Sequence, residues 1–367
     1  MMRISAAVAR EPGADLDVVE LDLEDPRPDE LLIRMVGVGV CHTDLLVRDE
    51  PGPTQLPLVL GHEGSGVVEK VGAAVQGFEA GDKVILTWNS CGVCRQCLSG
   101  KPAHCDQHQL LNLSGHRDDG TTGLSEAGRP VGGRFFSQSS FASHALSRAR
   151  NTVKLSADLS VDQLRVLGPL GCGVQTGAGA FLTAFDVRPG SAVAVWGTGG
   201  VGLSAVMAAA TRHCDPIVAI DTNPGRLELA RALGATHTVD AGSDDVRGQV
   251  VAISNGGVDY AIDTTGLAPV VANAARALAI GGRLGLHGRA RLIPGGMDLA
   301  QVPPGRIVTF LIEGECVPQL FIPEMLDLYQ RGRFPFDQMI RTYPFDQINK
   351  AIDDMQSGSV VKPVLTF

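Results

Sequence analysis

Between Ser191 and Asp221 the chain runs from an apolar strand into a cluster of glycines, through a helix and out into a second strand. The residues are Ser191-Ala-Val-Ala-Val-Trp196, then Gly197-Thr198-Gly199-Gly200-Val201-Gly202, an Ala/Val/Met-rich helix to about Arg212, and Ile217-Val-Ala-Ile220 ending in Asp221. A bare G-x-G-x-x-G arises often by chance, and its context of strand before and helix after gives it meaning. The glycines let the backbone reach a pyrophosphate at a helix N-terminus, where partial positive charge sits. Asp221 stands nineteen residues beyond Gly202, close to the ~20 expected of the acid that binds the adenosine ribose. The stretch therefore reads as a dinucleotide-binding unit built on Gly197, Gly199, Gly200, Val201, Gly202 and Asp221. It commits its surroundings to a layered α/β domain.

Asp221 also bears on which dinucleotide is bound. A carboxylate accepts hydrogen bonds from both ribose hydroxyls and repels a 2′-phosphate, so NAD is expected over NADP. Arg226, five residues on, is a charge that could neutralise such a phosphate. Further strand and helix patterns follow at Thr236–Val239, Val258–Ile262, Ala268–Ala279 and Gly282–Leu286. They extend the unit to a doubly wound parallel sheet over residues 165–300. Just upstream, Gly171-Cys172-Gly173 opens a small-residue segment, with a helix expected from Thr176 to Ala184.

With 367 residues the chain is too long for one ordinary core, and a second domain is expected. Residues 3–40 read as strands, broken by the Pro and Asp cluster at 25–29, and Gly64–Gly72 and Val84–Leu86 read as two more. Short strands without a long helix predict a small β-barrel or sandwich. Residues 112–134 are rich in Gly, Ser, Asp and Arg and read as a long surface loop, with Phe135, Phe136 and Phe141 resuming a strand. In the tail, helices are expected at Pro323–Gln330 and from Pro344-Phe345 to Met355, then a strand, Val361–Leu365. These elements are expected to rejoin the N-terminal domain.

Of eight cysteines, four crowd into the fifteen residues from Cys91 to Cys105. In a large chain without a signal peptide such crowding reads as metal binding, not as disulfides. Cys91, Cys94, Cys97 and Cys105 can close a tetrahedron around zinc, leaving no open position, so this metal is expected to be structural. An iron–sulfur cluster is the rival, but no Cys-Pro ending of the cluster type follows. A second constellation runs from Cys41-His42-Thr43-Asp44 to Gly61-His62-Glu63. Cys and His are ligand types that zinc prefers. Thr43 can offer a hydroxyl beside a Cys41-bound metal, and Asp44 can orient a ligating histidine from behind.

The formal net charge of −9, with no Lys/Arg run, argues against a nucleic-acid surface. No apolar run reaches the ~18 residues of a membrane span, and Met1–Pro12 lacks the pattern of a signal peptide. A cytoplasmic protein is expected.

Taken together, Cys41, His62, Cys172, the four-cysteine loop and Gly197–Asp221 resemble the zinc-containing medium-chain alcohol dehydrogenases, and the resemblance covers essentially the whole chain. It implies a GroES-like β-rich catalytic domain (1–164 and 301–367) interrupted by a Rossmann NAD-binding domain (165–300), with the active site in the cleft. It implies two zinc ions per chain: a catalytic one on Cys41, His62 and Cys172, the family's ligand set, and a structural one on the four-cysteine loop. It makes Glu63 the acid beside the histidine and Asp44 the carboxylate that orients it. Thr43 is the hydroxyl that starts the proton relay, while His42 and Lys362 contact the cofactor pyrophosphate. Thr176 is a further candidate at the cofactor.

Cys172 favours the alcohol dehydrogenase branch, because polyol relatives generally carry glutamate there. Phe334-Pro335-Phe336-Asp337 and Val317-Pro318-Gln319 look like the bacterial aryl-alcohol (benzyl alcohol) dehydrogenases. Many relatives carry a relay histidine five residues after the first ligand, where this chain has Leu46. The expected reaction interconverts primary alcohols, aromatic or allylic, and aldehydes. A formaldehyde–thiol adduct or a terpenoid alcohol is the alternative substrate. Thr43, Leu46, Trp88, Phe135 and Phe136 are the pocket candidates. A homo-oligomer, dimer or tetramer, is expected, and no nucleic-acid or membrane partner.

Overall fold

The computed structural model describes residues 1–52, 54–287 and 299–367, so residues 288–298 of the expected cofactor domain lie outside the described residues. The chain divides into two compact units: Met1–Cys172 with Val317–Glu324 and Met339–Phe367, and Gly173–Cys316 with Met325–Gln338. The first boundary falls eight residues after the expected 164, immediately beyond Cys172.

The first unit is built on two sheets. One joins β1 (Met2–Ala9), β2 (Asp17–Leu23), β4 (Leu58–Val59), β7 (Leu124–Glu126) and β8 (Arg129–Val131) in the order β4-β1-β2-β7-β8. The other centres on β3 (Glu30–Gly39), whose side chains are buried on both faces apart from half-buried Arg34. β3 pairs antiparallel with β5 (Gly64–Val71) and β9 (His144–Arg148). Beyond β5 lie β6 (Lys83–Leu86) and β10 (Thr152–Lys154). The last strand, β18 (Lys362–Thr366), lies antiparallel to β3, with Val364 opposite Gly39, and parallel to β17 (Ile340–Pro344). That register carries the C-terminal residues to the end of β3, next to Val40 and Cys41. A short helix, His42–Asp49, starts directly after Cys41.

In the second unit a parallel sheet runs β13 (His237–Asp240), β12 (Ile217–Asp221), β11 (Val193–Trp196), β14 (Val258–Asp263), β15 (Leu278–Leu286) and β16 (Ile307–Phe310). This is the doubly wound 3-2-1-4-5-6 order, in which ligands bind beyond the carboxyl ends of the strands where the order reverses. β11 is buried on both faces, as a central parallel strand covered by helices requires. Its neighbours Val218, Ile220, Ala261 and Leu284 complete one apolar core. The protein is thus α/β, a β-rich domain plus a Rossmann-type domain. Among the described residues no helix is long and apolar enough to cross a membrane.

Three expectations need correction. Residues 112–134 are no open loop: they include the β7–β8 hairpin, and Arg117 within them is buried on Glu30 and Glu24 through bonds of 2.8, 2.9 and 2.9 Å. Two of its arginines, Arg117 and Arg134, are drawn inside by Glu30, while Asp118, Asp119 and Arg129 stay exposed. Phe135–Ser137 is a 3₁₀ turn and not a strand, with Phe136 at φ +50°. The helix expected from Pro323 begins at Pro318, and Pro323 lies within it. Pro318 takes the first turn, where a missing N–H costs nothing.

Candidate active site and metal centres

The helix His42–Asp49 leaves Cys41 at its N-cap and Asp44 on its first turn, fully buried. Asp44 gathers three donors. Its Oδ2 accepts from the Cys41 amide at 2.9 Å, and its Oδ1 from the Gly61 amide at 3.0 Å and from His62 Nδ1 at 2.8 Å. Gly61 has φ +89°, and a Cβ there would run into Phe141, so only glycine can bring His62 into this place. With Nδ1 spent on a carboxylate, Nε2 is the ring nitrogen left for another partner. That atom is buried and without a hydrogen-bond partner, which for a nitrogen is costly unless something else binds it.

The donor atoms of Cys41, His62, Glu63 and Cys172 all lie within 4.8 Å of one another. A soft-donor cluster with an orphaned imidazole nitrogen, backed by a carboxylate, suits zinc in chemistry and in support. Charge favours the same occupant. A hydrogen bond with Cys172 holds the Cys41 thiol well below its ordinary pKa against burial, and the Lys362 ammonium helps. Burial opposes the His62 imidazolium, but the Asp44 carboxylate outweighs it and raises the pKa. Burial pushes Glu63 up to about 7, opposed by Lys362. Lys362 Nζ, itself buried, meets Glu63 at 2.7 Å and the Val40 carbonyl at 3.1 Å. Burial works against that ammonium, and the Glu63 charge raises its pKa in spite of it.

The second sulfur cluster is local. Cys91, Cys94, Cys97 and Cys105 also lie within 4.8 Å of one another. Cys91 and Cys97 sulfurs are 4.0 Å apart, near the ~3.8 Å edge of a tetrahedron with zinc–sulfur bonds of about 2.3 Å. The Cys94 amide points at Cys91 Sγ, and the amides of Cys91 and Gln107 at Cys105 Sγ. The amides of Cys97 and Asp106 lower the Cys94 thiol to about 6. Four sulfurs with backbone donors around them suit a closed zinc site.

In the other unit the glycines divide their labour. Gly197 sits at φ +87° and makes the turn, Gly199 faces open space, and a Cβ on Gly202 would strike the Gly197 carbonyl. Tight turn, open approach and close helix packing are the three demands of a dinucleotide loop. Gly200 and Val201 begin the helix Gly200–Thr211. Asp221, at the end of β12, accepts from the Thr198 amide at 2.7 Å, the Thr198 hydroxyl at 2.8 Å and the Asn223 amide at 2.9 Å.

Residues 27–157 match the alcohol dehydrogenase GroES-like domain and residues 200–310 the zinc-binding dehydrogenase domain. Geraniol dehydrogenase of Castellaniella defragrans is 45% identical over 99% of this chain and 97% of its own. The chain belongs to the zinc-dependent alcohol dehydrogenase family. S-(hydroxymethyl)glutathione dehydrogenase of Escherichia coli is 32% identical over the full length of both chains. The crystal structure of benzyl alcohol dehydrogenase from Acinetobacter calcoaceticus superposes with a TM-score of 0.94 at 41% identity, covering both chains completely.

Other family positions are spread around these centres. His42 is exposed at the start of its helix, with Thr43 and Leu46 half-buried and one turn apart. Phe136 stacks on the His62 ring with centroids 4.5 Å apart, and Phe135 meets it edge-on at 5.5 Å. Trp88 lines a cavity of about 220 Å³ with Ser90, Cys97 and Arg150. Thr176 donates to Glu313 at 3.3 Å, and Arg226 lies in the first turn of the helix Pro224–Ala232. Sequence reasoning missed Thr87, Gln138 and Thr198, and also the pairing of Lys362 with Glu63. All four act through partners far away in the chain, and only the Thr198–Asp221 pair lies within a motif that could have announced it.

Proposed function

We propose that this member of the alcohol dehydrogenase family oxidises primary alcohols whose carbinol adjoins a π system, aromatic or allylic, and reduces the matching aldehydes, with NAD as cofactor. The observation that carries this reading is the Cys41–His62–Cys172 donor set with its orphaned Nε2 and two phenylalanine rings on His62. The likeness to proteins that act on geraniol and on benzyl alcohol supports the substrate class. When bound, zinc supplies Lewis acidity toward the alcohol oxygen and the nicotinamide supplies the hydride acceptor.

The chain's own residues do the rest. Cys41, His62 and Cys172 hold the catalytic ion, and Cys91, Cys94, Cys97 and Cys105 a second, structural ion. Asp44 fixes the imidazole tautomer. Thr43 Oγ1 hydrogen-bonds the alcohol hydroxyl and starts the proton relay, giving up its own proton toward solvent as it takes the alcohol's, with Leu46 lending no basic group one turn on. Phe135 and Phe136 give the carbinol an apolar wall. Asp221 takes the adenosine ribose and disfavours a 2′-phosphate, with His42, Thr176 and Lys362 as further cofactor contacts. Eight free cysteines suit a reducing compartment, and we place the protein in the cytoplasm. The exposed Ile307 and Phe310 on edge strand β16 suit a homo-oligomer, dimer or tetramer.

Initial rates with NAD and with NADP, across benzyl alcohol, geraniol, ethanol and hydroxymethyl-glutathione, test the reading. Benzyl alcohol or geraniol should exceed the others in kcat/KM by at least about tenfold. A preference for hydroxymethyl-glutathione would replace the substrate assignment with that of a thiol-adduct dehydrogenase.

A further inference from the structure

The three donors come from chain positions 41, 62 and 172, so loop length cannot fix their spacing. Asp44 ties Cys41 to His62, and the tie between His62 and Cys172 has to lie elsewhere. We propose that Gln138 is the positioning residue that sets the separation of His62 from Cys172, acting through Thr87.

Gln138 is buried, and its side-chain amide is fully engaged. Nε2 donates to the His62 carbonyl at 3.0 Å and to the Thr87 carbonyl at 3.1 Å, while Oε1 accepts from the Gly64 amide at 3.3 Å. Because two of the partners are carbonyl oxygens, the nitrogen has to face them, and the orientation of the amide is decided. Thr87, also buried, then donates its hydroxyl to the Gly171 carbonyl at 2.6 Å. Gly171 is the residue before Cys172, and a Cβ on it would strike the Leu86 carbonyl. A continuous path therefore runs from the peptide of one donor residue to the peptide before the other, by way of Gln138 and Thr87.

The loop that presents Gln138 is held in an unfavourable conformation. Phe136, Ser137 and Ser139 have φ of +50°, +55° and +47°, a region that side chains other than glycine seldom occupy. Such conformations persist only where the surroundings over-determine them, and they gather at functional sites. Here Ser139 Oγ donates to the Val59 carbonyl at 2.6 Å and accepts from the Phe135 amide at 2.9 Å. Asn151 Nδ2 donates to the carbonyls of Phe136 and Ser137, both at 3.4 Å. The same strained turn that lays Phe136 on the His62 ring holds Gln138 on the His62 carbonyl.

The inference rests on zinc binding at Cys41, His62 and Cys172, and zinc release separates the two claims. Release to a chromogenic chelator is followed in the unaltered protein and in Gln138→Met, Thr87→Val and Thr87→Ser. Two pools are expected in the unaltered protein. A single pool held by the four cysteines would overturn the zinc reading, and this one with it. Gln138→Met and Thr87→Val should each speed one pool by about 10- to 100-fold, the usual effect of losing a support behind a ligand. The other pool should keep its rate, and Thr87→Ser, which retains the hydroxyl, should release like the unaltered protein. The visible spectrum of cobalt-loaded protein should shift in the two disruptive variants alone. Equal acceleration of both pools, or unchanged release and spectrum, would overturn the proposal. Should Gln138→Met fail to fold, the Thr87→Val and Thr87→Ser pair decides by the same criteria.

Discussion

The two sulfur clusters of the first unit are assembled in opposite ways. Cys91, Cys94, Cys97 and Cys105 share one short loop, so spacing alone brings them together and backbone amides supply the electrostatics. Cys41, His62 and Cys172 come from three distant places, and each is secured by a buried polar side chain or a tight glycine. The local cluster uses four like donors and can close. The assembled one mixes sulfur with nitrogen and leaves chemistry possible, at the cost of a large supporting cast. The difference teaches that a mixed donor set depends on the rest of the fold, whereas a uniform one needs little beyond its own loop.

The sharpest way to break the contrast is Cys172→Ser. Turnover should fall by about a thousandfold or more, since a Lewis-acid site supplies several kcal/mol to the barrier. NAD affinity measured by titration calorimetry should stay within about twofold, and one zinc should remain. Full activity would sink the ligand assignment. The mirror-image change, Cys97→Ser, should act on stability instead. A structural zinc contributes directly to folding, and the thermal midpoint should drop by roughly 10 °C, with residual activity in whatever fraction stays folded. If scanning calorimetry finds the midpoint unmoved, the local cluster is not the structural one.

Asp44→Asn probes the support without touching a ligand. Catalytic zinc should bind about 10- to 100-fold more weakly in competition with a chelator, while the four-cysteine site keeps its metal. Equal affinity in both proteins would mean that Asp44 only packs. The smallest change is expected from Leu46→His, which adds a titratable group one turn after Thr43. The pH–rate profile should shift while zinc content by metal analysis stays the same. An unchanged profile would remove Leu46 from any account of the proton relay.

The same contrast explains what could be read from the sequence. The four-cysteine loop and the glycine turn are local constellations, so their spacing carried their geometry, and alternating strand and helix patterns announced a doubly wound parallel sheet. The N-terminal β unit was visible as short strands, but its sheet order was not, since β1, β2, β7 and β8 come together across 100 residues of intervening chain. The buried Arg117–Glu30 pair was mistaken for a solvated loop because composition reports charge and not its pairing. Phe135 and Phe136 looked like a strand because aromatic residues favour strands, whereas the bonds of Ser139 and Asn151 hold Phe136 and Ser137 in a left-handed turn. Gln138, Thr87 and Lys362 carried no local signal at all: each bonds to a partner between 51 and 322 residues away.

Lys362 gives that separation a meaning in time. Its partner Glu63 leaves the ribosome 299 residues earlier, a delay of about 15–60 s at ~5–20 residues per second. Until then the carboxylate beside Cys41 and His62 lacks its counter-ion, and β3 lacks the neighbour that brings it. The nascent chain can finish its four-cysteine loop early, while the surroundings of Glu63 are complete only after β18 is laid down. The pairing of Glu63 is in this sense settled long after the residues around it have been made.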